Sequence, residues 1–205
     1  MARRPKPSGR KLPDKGKKLG RRATRTRELR PRFLIVCEGT ETEPNYFSRF
    51  RVNAVVKVIG TGRSPQGVVK EAENLEKRGE YTEVWVVFDR DQFDAEDFNA
   101  AIEKAKNNGF KVAYSNQAFE LWYVLHFDYH DTAISRDRYQ EILSNKLGRR
   151  YRKNDPLIYD YLEEKQPDAI RNAKRLINSY FPNHNPARDD PCTTVYELVE
   201  RLNGT

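Results

Sequence analysis

The sequence predicts an α/β protein: a mostly parallel four-stranded sheet flanked by helices, with a disordered basic arm before it and a helical part after it. Three observations carry that expectation. Between residues 32 and 118, short β-rich apolar runs alternate with stretches of helical period, the pattern of βαβ units. From about residue 119 onward everything reads as helix and loop. The first 31 residues carry no large apolar residues at either period. At 205 residues the chain suits one domain, residues 32–205, preceded by an arm over residues 1–31.

The elements follow in order. FLIVC (33–37) is a first strand that ends at Glu38-Gly39, and residues 43–51 look helical. Residues 54–59 form a second strand, then the turn GTGRSPQG and a helix over 68–77. VWVVF (84–88) is the third strand and the most apolar, as expected of a strand buried on both faces. Residues 94–108 place Phe98, Ile102 and Ala105 at helical spacing, and Asn108-Gly109 stops that helix. A fourth strand covers 110–114. The stretches 167–181 and 194–202 read as packing helices.

Composition narrows the function classes. Hydrophobic residues make up 37% of the chain against 33% charged, yet 10 Phe, 11 Tyr and 2 Trp supply a core. No apolar run approaches the roughly 20 residues of a membrane span, and no signal-peptide core follows the basic start. Cys37 and Cys192 build neither a disulfide framework nor a zinc site, which suits a reducing cytoplasm. The net charge of +8 is unevenly placed. Residues 1–32 hold 14 Lys/Arg against Asp14 and Glu28, a net of +12, and the remainder is −4. Prolines 5, 7 and 13 and glycines 9, 16 and 20 interrupt any helix there, so the arm is expected to be disordered and to contact phosphates.

In an open parallel sheet, ligands bind beyond the carboxyl ends of the strands. Glu38 follows the first strand and Asp89 and Asp91 follow the third, in CEGTETEP and FDRDQF. Residues two apart on an extended stretch point the same way, so both aspartates are expected to aim into one pocket with Glu38. Three such carboxylates need a cation, and hard oxygen ligands select Mg²⁺ or Mn²⁺.

Four segments, FLIVCEGTETEPNYF, VVFDRDQF, SNQAFELWYVLHF and YRKN, together resemble the RloB-like proteins. The resemblance covers most of residues 32–205 and implies a TOPRIM-type fold. It also implies a companion ATPase of the AAA or ABC type and a place in bacterial anti-phage abortive infection. Carried over by position, the family's metal site becomes Glu38, Asp89 and Asp91. Where relatives often carry Asn-Pro before the Phe-Glu segment, this chain has Asn116-Gln117-Ala118.

Further candidates surround these acids. Glu120 sits in an apolar surround and needs a partner or a metal, as a further ligand or a base for water. An ion pair with a core-facing Arg is the plainer account. His126 is weighed as a general base against a structural histidine, and His130 and His184 read as surface groups. Glu43 is weighed as a holder of a second metal, Glu41 less so, against the usual role of acids near a helix start. GTGRSPQG at 60–67 is no P-loop, but its amides are candidates for a phosphate. Lys146, Arg149, Arg150, Arg152 and Lys153, with Tyr151 among them, suit a nucleic-acid backbone. Lys153 or Arg152 is the candidate to steady charge on phosphorus.

The leading expectation is a Mg²⁺/Mn²⁺-dependent nuclease acting on DNA or RNA, with Glu38, Asp89, Asp91, Glu120 and Lys153 in its site. The alternative is a non-catalytic nucleic-acid-binding or regulatory partner of the ATPase. A nucleotide-sugar site of a glycosyltransferase, from D-x-D alone, fits poorly with the basic arm and with Glu38 on another strand. Oligomeric state is left open.

Overall fold

The computed structural model describes residues 30–204. Apart from residues 30 and 31, the basic arm lies outside the described residues. Five strands form one sheet in the order β2-β1-β3-β4-β5. β1 (Arg32–Cys37), β2 (Val55–Gly60), β3 (Glu83–Asp89) and β4 (Lys111–Asn116) run parallel. β5 (Cys192–Thr193) adds antiparallel to β4, with Ser115 opposite Thr193 and Asn116 opposite Cys192. The sequence gives no sign of this fifth strand, because two residues cannot display a period of two.

Period-two alternation assigns the side chains of the central strands to two faces. Phe33, Ile35, Trp85, Val87 and Ala113 belong to an aromatic-rich core. Over it pack α1 (Thr42–Phe47), α4 (Glu120–Val124), α5 (Arg136–Leu147), α6 (Ile158–Leu162), α7 (Gln166–Asn178) and α8 (Val195–Asn203). Leu34, Val36, Val84, Val86, Phe88 and Val112 form the second core with α2 (Pro65–Glu76) and α3 (Ala95–Asn107). The predicted helix at 43–51 stops at Phe47. The helix predicted from Val68 begins three residues earlier, at Pro65 behind Ser64. The Ser64 hydroxyl accepts from the Gly67 amide at 3.4 Å, and proline is well placed in a first turn.

The order 2-1-3 makes the chain leave β1 to one side and return to the other. The carboxyl ends of β1 and β3 therefore flank a topological switch point, where such sheets open a crevice. Among the described residues no helix is long and apolar enough to cross a membrane.

Candidate active site

The register of β1 and β3 pairs Cys37 with Val87, so Glu38 emerges beside the last residues of β3. Its amide donates to the Val87 carbonyl at 2.8 Å, and its Oε2 accepts from the Asp89 amide at 3.0 Å. Asp89 is buried, and its Oδ2 accepts from the Phe119 amide at 2.9 Å, where the chain turns from β4 into α4. Glu120 opens α4 and is buried as well. Glu43, on α1, is buried beneath the turn after β1, its Oε1 accepting from the Gly39 amide at 3.3 Å. That approach requires glycine: a Cβ on Gly39 would stand 2.1 Å from Glu43 Oε2. Gly60 is equally constrained, since its Cβ would meet the Gly39 carbonyl oxygen at 2.5 Å.

These elements enclose a cavity of about 210 Å³ whose walls include Glu38, Glu43, Asp89, Glu120, Arg136 and Lys153. The exposed Glu41 lines it too, so five acidic residues share one small space. Burial pushes Glu38 up to about 7, with the charges of Glu43 and Asp91 adding to it and the Asp89 amide and Arg136 opposing. Burial, then the charges of Glu43, Glu38 and Glu120, raises Asp89 well above the carboxylate range. Burial and Glu120 raise Glu43 also. So much negative charge is held only with a cation beside it.

One cation is built in. Arg136, the first residue of α5, lies 3.4 Å from Asp89 Oδ2 and 3.3 Å from Asp91 Oδ2. Burial opposes its charge, and the acids around it, Asp89 first, outweigh that and raise its pKa. The sequence reading missed Arg136. A signal was present: a cation at the first position of a helix opposes the macrodipole and needs acids elsewhere to hold it there.

The divalent cation implied by the donor chemistry can be tested against these residues. Asp89 Oδ1 and Glu120 Oε1 are buried with no hydrogen-bond partner. Two unpartnered carboxylate oxygens in a wall rich in carboxyl groups fit a hard ion such as Mg²⁺ or Mn²⁺. Among the described residues, however, no three acidic, His or Cys side chains already converge as a ligand group. Arg136 neutralises Asp89 and Asp91 in this arrangement.

The remaining sequence candidates divide. Glu38, Asp89, Glu120 and Lys153 line the same cavity, joined by Glu41, Glu43 and Arg136. Asp91 does not line it. The expected alternation ends at Asp89, because the Arg90 amide bonds to the Ser115 carbonyl, the Asp91 amide to the Gln117 carbonyl, and Asp91 takes a φ of 39°. Asp91 instead faces a neighbouring hollow with Arg90, Asn116 and Arg188, and it shares Arg136 with Asp89.

The basic segment also needs correcting. Arg149 is committed to the buried Asp155 at 2.5 Å, and Lys146 is paired with Asp128 at 2.5 Å. Arg150, Arg152 and Lys153 are exposed. Tyr151, expected to join them at a nucleic-acid backbone, is instead buried in the aromatic core. In GTGRSPQG the amides of Thr61, Gly62, Arg63 and Gly67 are already bonded within the protein, which leaves little for a phosphate.

The histidines are structural. His126 is buried, its Nδ1 2.8 Å from the Trp122 carbonyl oxygen, and burial lowers it to about 4. His130 packs edge-on against Tyr139. His184, expected at the surface, lies between Asp189 and Tyr114.

A family model for RloB-like proteins matches residues 33–202, a span that includes every strand end of this site. The chain belongs to the RloB-like protein family. No curated protein and no solved structure matches it.

Proposed function

We propose that this RloB-like chain is a metal-dependent phosphodiesterase of TOPRIM type that cleaves DNA or RNA. The observation that carries the reading is the cavity at the β1/β3 switch point. There five acidic residues line one cavity, two carboxylate oxygens lack partners, and two cations, Arg136 and Lys153, stand in the wall. Glu38, Asp89 and Glu120 would hold Mg²⁺ or Mn²⁺, with Asp91 as the further acid of the family pattern. A bound ion of this kind lowers the pKa of its water and neutralises charge developing at phosphorus.

The chain's own groups supply the rest. The Phe119 and Asp89 amides fix Asp89 and Glu38 in place. Lys153 is positioned to receive a phosphate oxygen, and Arg136 to do so once its acids are otherwise neutralised. The family resemblance further suggests a partner ATPase, anti-phage defence and a cytoplasmic setting.

The second reading, a nucleic-acid-binding or regulatory partner without catalysis, draws on one observation. Arg136 already balances Asp89 and Asp91, so the pocket is neutralised in part without a metal. The test incubates the purified full chain with plasmid, single-stranded DNA and tRNA in Mg²⁺, Mn²⁺ or EDTA, beside Asp89→Asn. Cleavage that needs metal and is lost in the variant supports the first reading. Binding without cleavage under every condition supports the second.

A further inference from the structure

Sequence neighbours Arg152 and Lys153 face different cavities. Lys153 lines the acidic pocket, while Arg152 lines a concavity of about 440 Å³ with Arg149, Arg150, Asn154 and Pro156. Consecutive α-carbons are 3.8 Å apart, so the two hollows share this short stretch of backbone as their common wall. Beyond the basic concavity stands a second feature. Tyr161 is 49% exposed and Leu157 is 51% exposed, both large and apolar for their setting. They are four residues apart, with the Tyr161 amide bonded to the Leu157 carbonyl, so they lie side by side.

The Arg149 guanidinium lies 4.7 Å from the Tyr161 ring centroid and is held there by its pair with the buried Asp155. Arg149 is therefore a brace for the ring rather than a phosphate contact. Arg150 and Arg152 remain for the backbone.

We infer that Tyr161, braced by Arg149, is a stacking platform for an unpaired base, and that the substrate is a single strand. Its backbone runs over Arg150 and Arg152 and past Lys153 into the acidic pocket. An exposed aromatic face beside a basic trough is the arrangement that binds single strands without reading sequence. A duplex buries the faces of its bases and gains nothing from Tyr161. This inference rests on the nucleic-acid reading of the site and adds the strandedness of the substrate and the residue that selects it.

The test measures fluorescence anisotropy of labelled 15-mers, DNA and RNA, single-stranded and duplex. It uses the full chain in EDTA, so that binding is separated from turnover. Tyr161→Ala should weaken single-strand binding about tenfold and leave duplex binding unchanged, Tyr161→Phe should restore it, and melting temperatures should match the wild type. Arg152→Ala should weaken both kinds of substrate and lower the salt slope by about one ion. The DNA and RNA arms decide which strand the platform prefers. Wild-type affinity in Tyr161→Ala, or preference for duplex, overturns this inference while leaving metal-dependent cleavage, measured separately, intact. Equal displacement by polyglutamate would assign the patch to an acidic protein instead. A wild type that binds no oligonucleotide overturns both this inference and the reading beneath it.

Discussion

Two polar clusters, each at least partly buried, sit near the carboxyl end of β4, and they are built on opposite terms. In one, the Tyr114 hydroxyl is 2.6 Å from His184 Nε2, and His184 Nδ1 is 2.5 Å from Asp189 Oδ2. The Asn185 amide donates to the same carboxylate, and Asn116 Nδ2 donates to the Pro186 and Asp189 carbonyls. Both ring nitrogens of His184 and the shared oxygen of Asp189 have partners. In the other cluster, Glu38, Glu43, Asp89 and Glu120 crowd together, their pKa values are raised or their oxygens left bare, and a single arginine bridges two aspartates. A satisfied cluster stabilises the fold. An unsatisfied one costs stability that a ligand can return, which is why strongly perturbed groups in a cleft point to function.

The largest expected effect is on chemistry. Asp89→Asn should lower metal-dependent cleavage by at least about a hundredfold, whereas Asp189→Asn should leave cleavage per folded molecule near wild type. Equal losses would erase the contrast.

His126 lies between the two extremes, one ring nitrogen bonded and Nε2 buried without a partner. Its folded pKa is near 4, and an unfolded histidine titrates near 6.5. The unfolded chain therefore takes up the proton first as pH falls. Stability from the neutral ring is complete above pH 6.5 and drains away towards pH 4, by about 3 kcal/mol. The stability difference between wild type and His126→Gln, from urea titrations, should shrink by about that much between pH 7.5 and 4. A constant difference would show that the ring charges equally in both states.

Metal linkage sharpens the comparison. At a hundredfold excess over its dissociation constant, Mn²⁺ should stabilise the wild type by about 2.7 kcal/mol. Asp89→Asn should gain little under those conditions, and Asp189→Ala should gain as much as wild type. No shift in the wild type would favour the non-catalytic reading.

In the satisfied cluster, Asp189→Ala removes the acceptor for His184 and for the Asn185 amide, and should cost about 2 kcal/mol in chemical denaturation. A cost near zero would make that cluster ornamental.

The smallest effect separates two costs at Asp89. Removing its charge relieves repulsion, but Asp89→Ala also strands the buried Phe119 amide that donates to Oδ2. Asp89→Asn keeps an acceptor there. Without metal it should melt above Asp89→Ala by about 1 kcal/mol, and the reverse order would show that repulsion dominates.

What the sequence determined by itself is local. The apolar runs at 33–37 and 84–88 could only be buried strands, and Glu38 and Asp89 at their ends followed from where such strands stop. Gly39 was legible as a turn, although its tight approach to Glu43 was not. Strand alternation failed at Asp91 because the turn is set by carbonyls of Ser115 and Gln117, some 25 residues on. Tyr151 and Tyr161 look alike in sequence, and packing alone buried the first and exposed the second. β5, two residues long, exists only because β4 offers it an edge. Arg136 is distant in sequence from every acid it serves, and the packing of α5 against α4 brings it to the pocket. Periodicity and strand ends are properties of neighbours along the chain. The pairing of charges depends on which distant segments share a dielectric, and only the tertiary structure decides that.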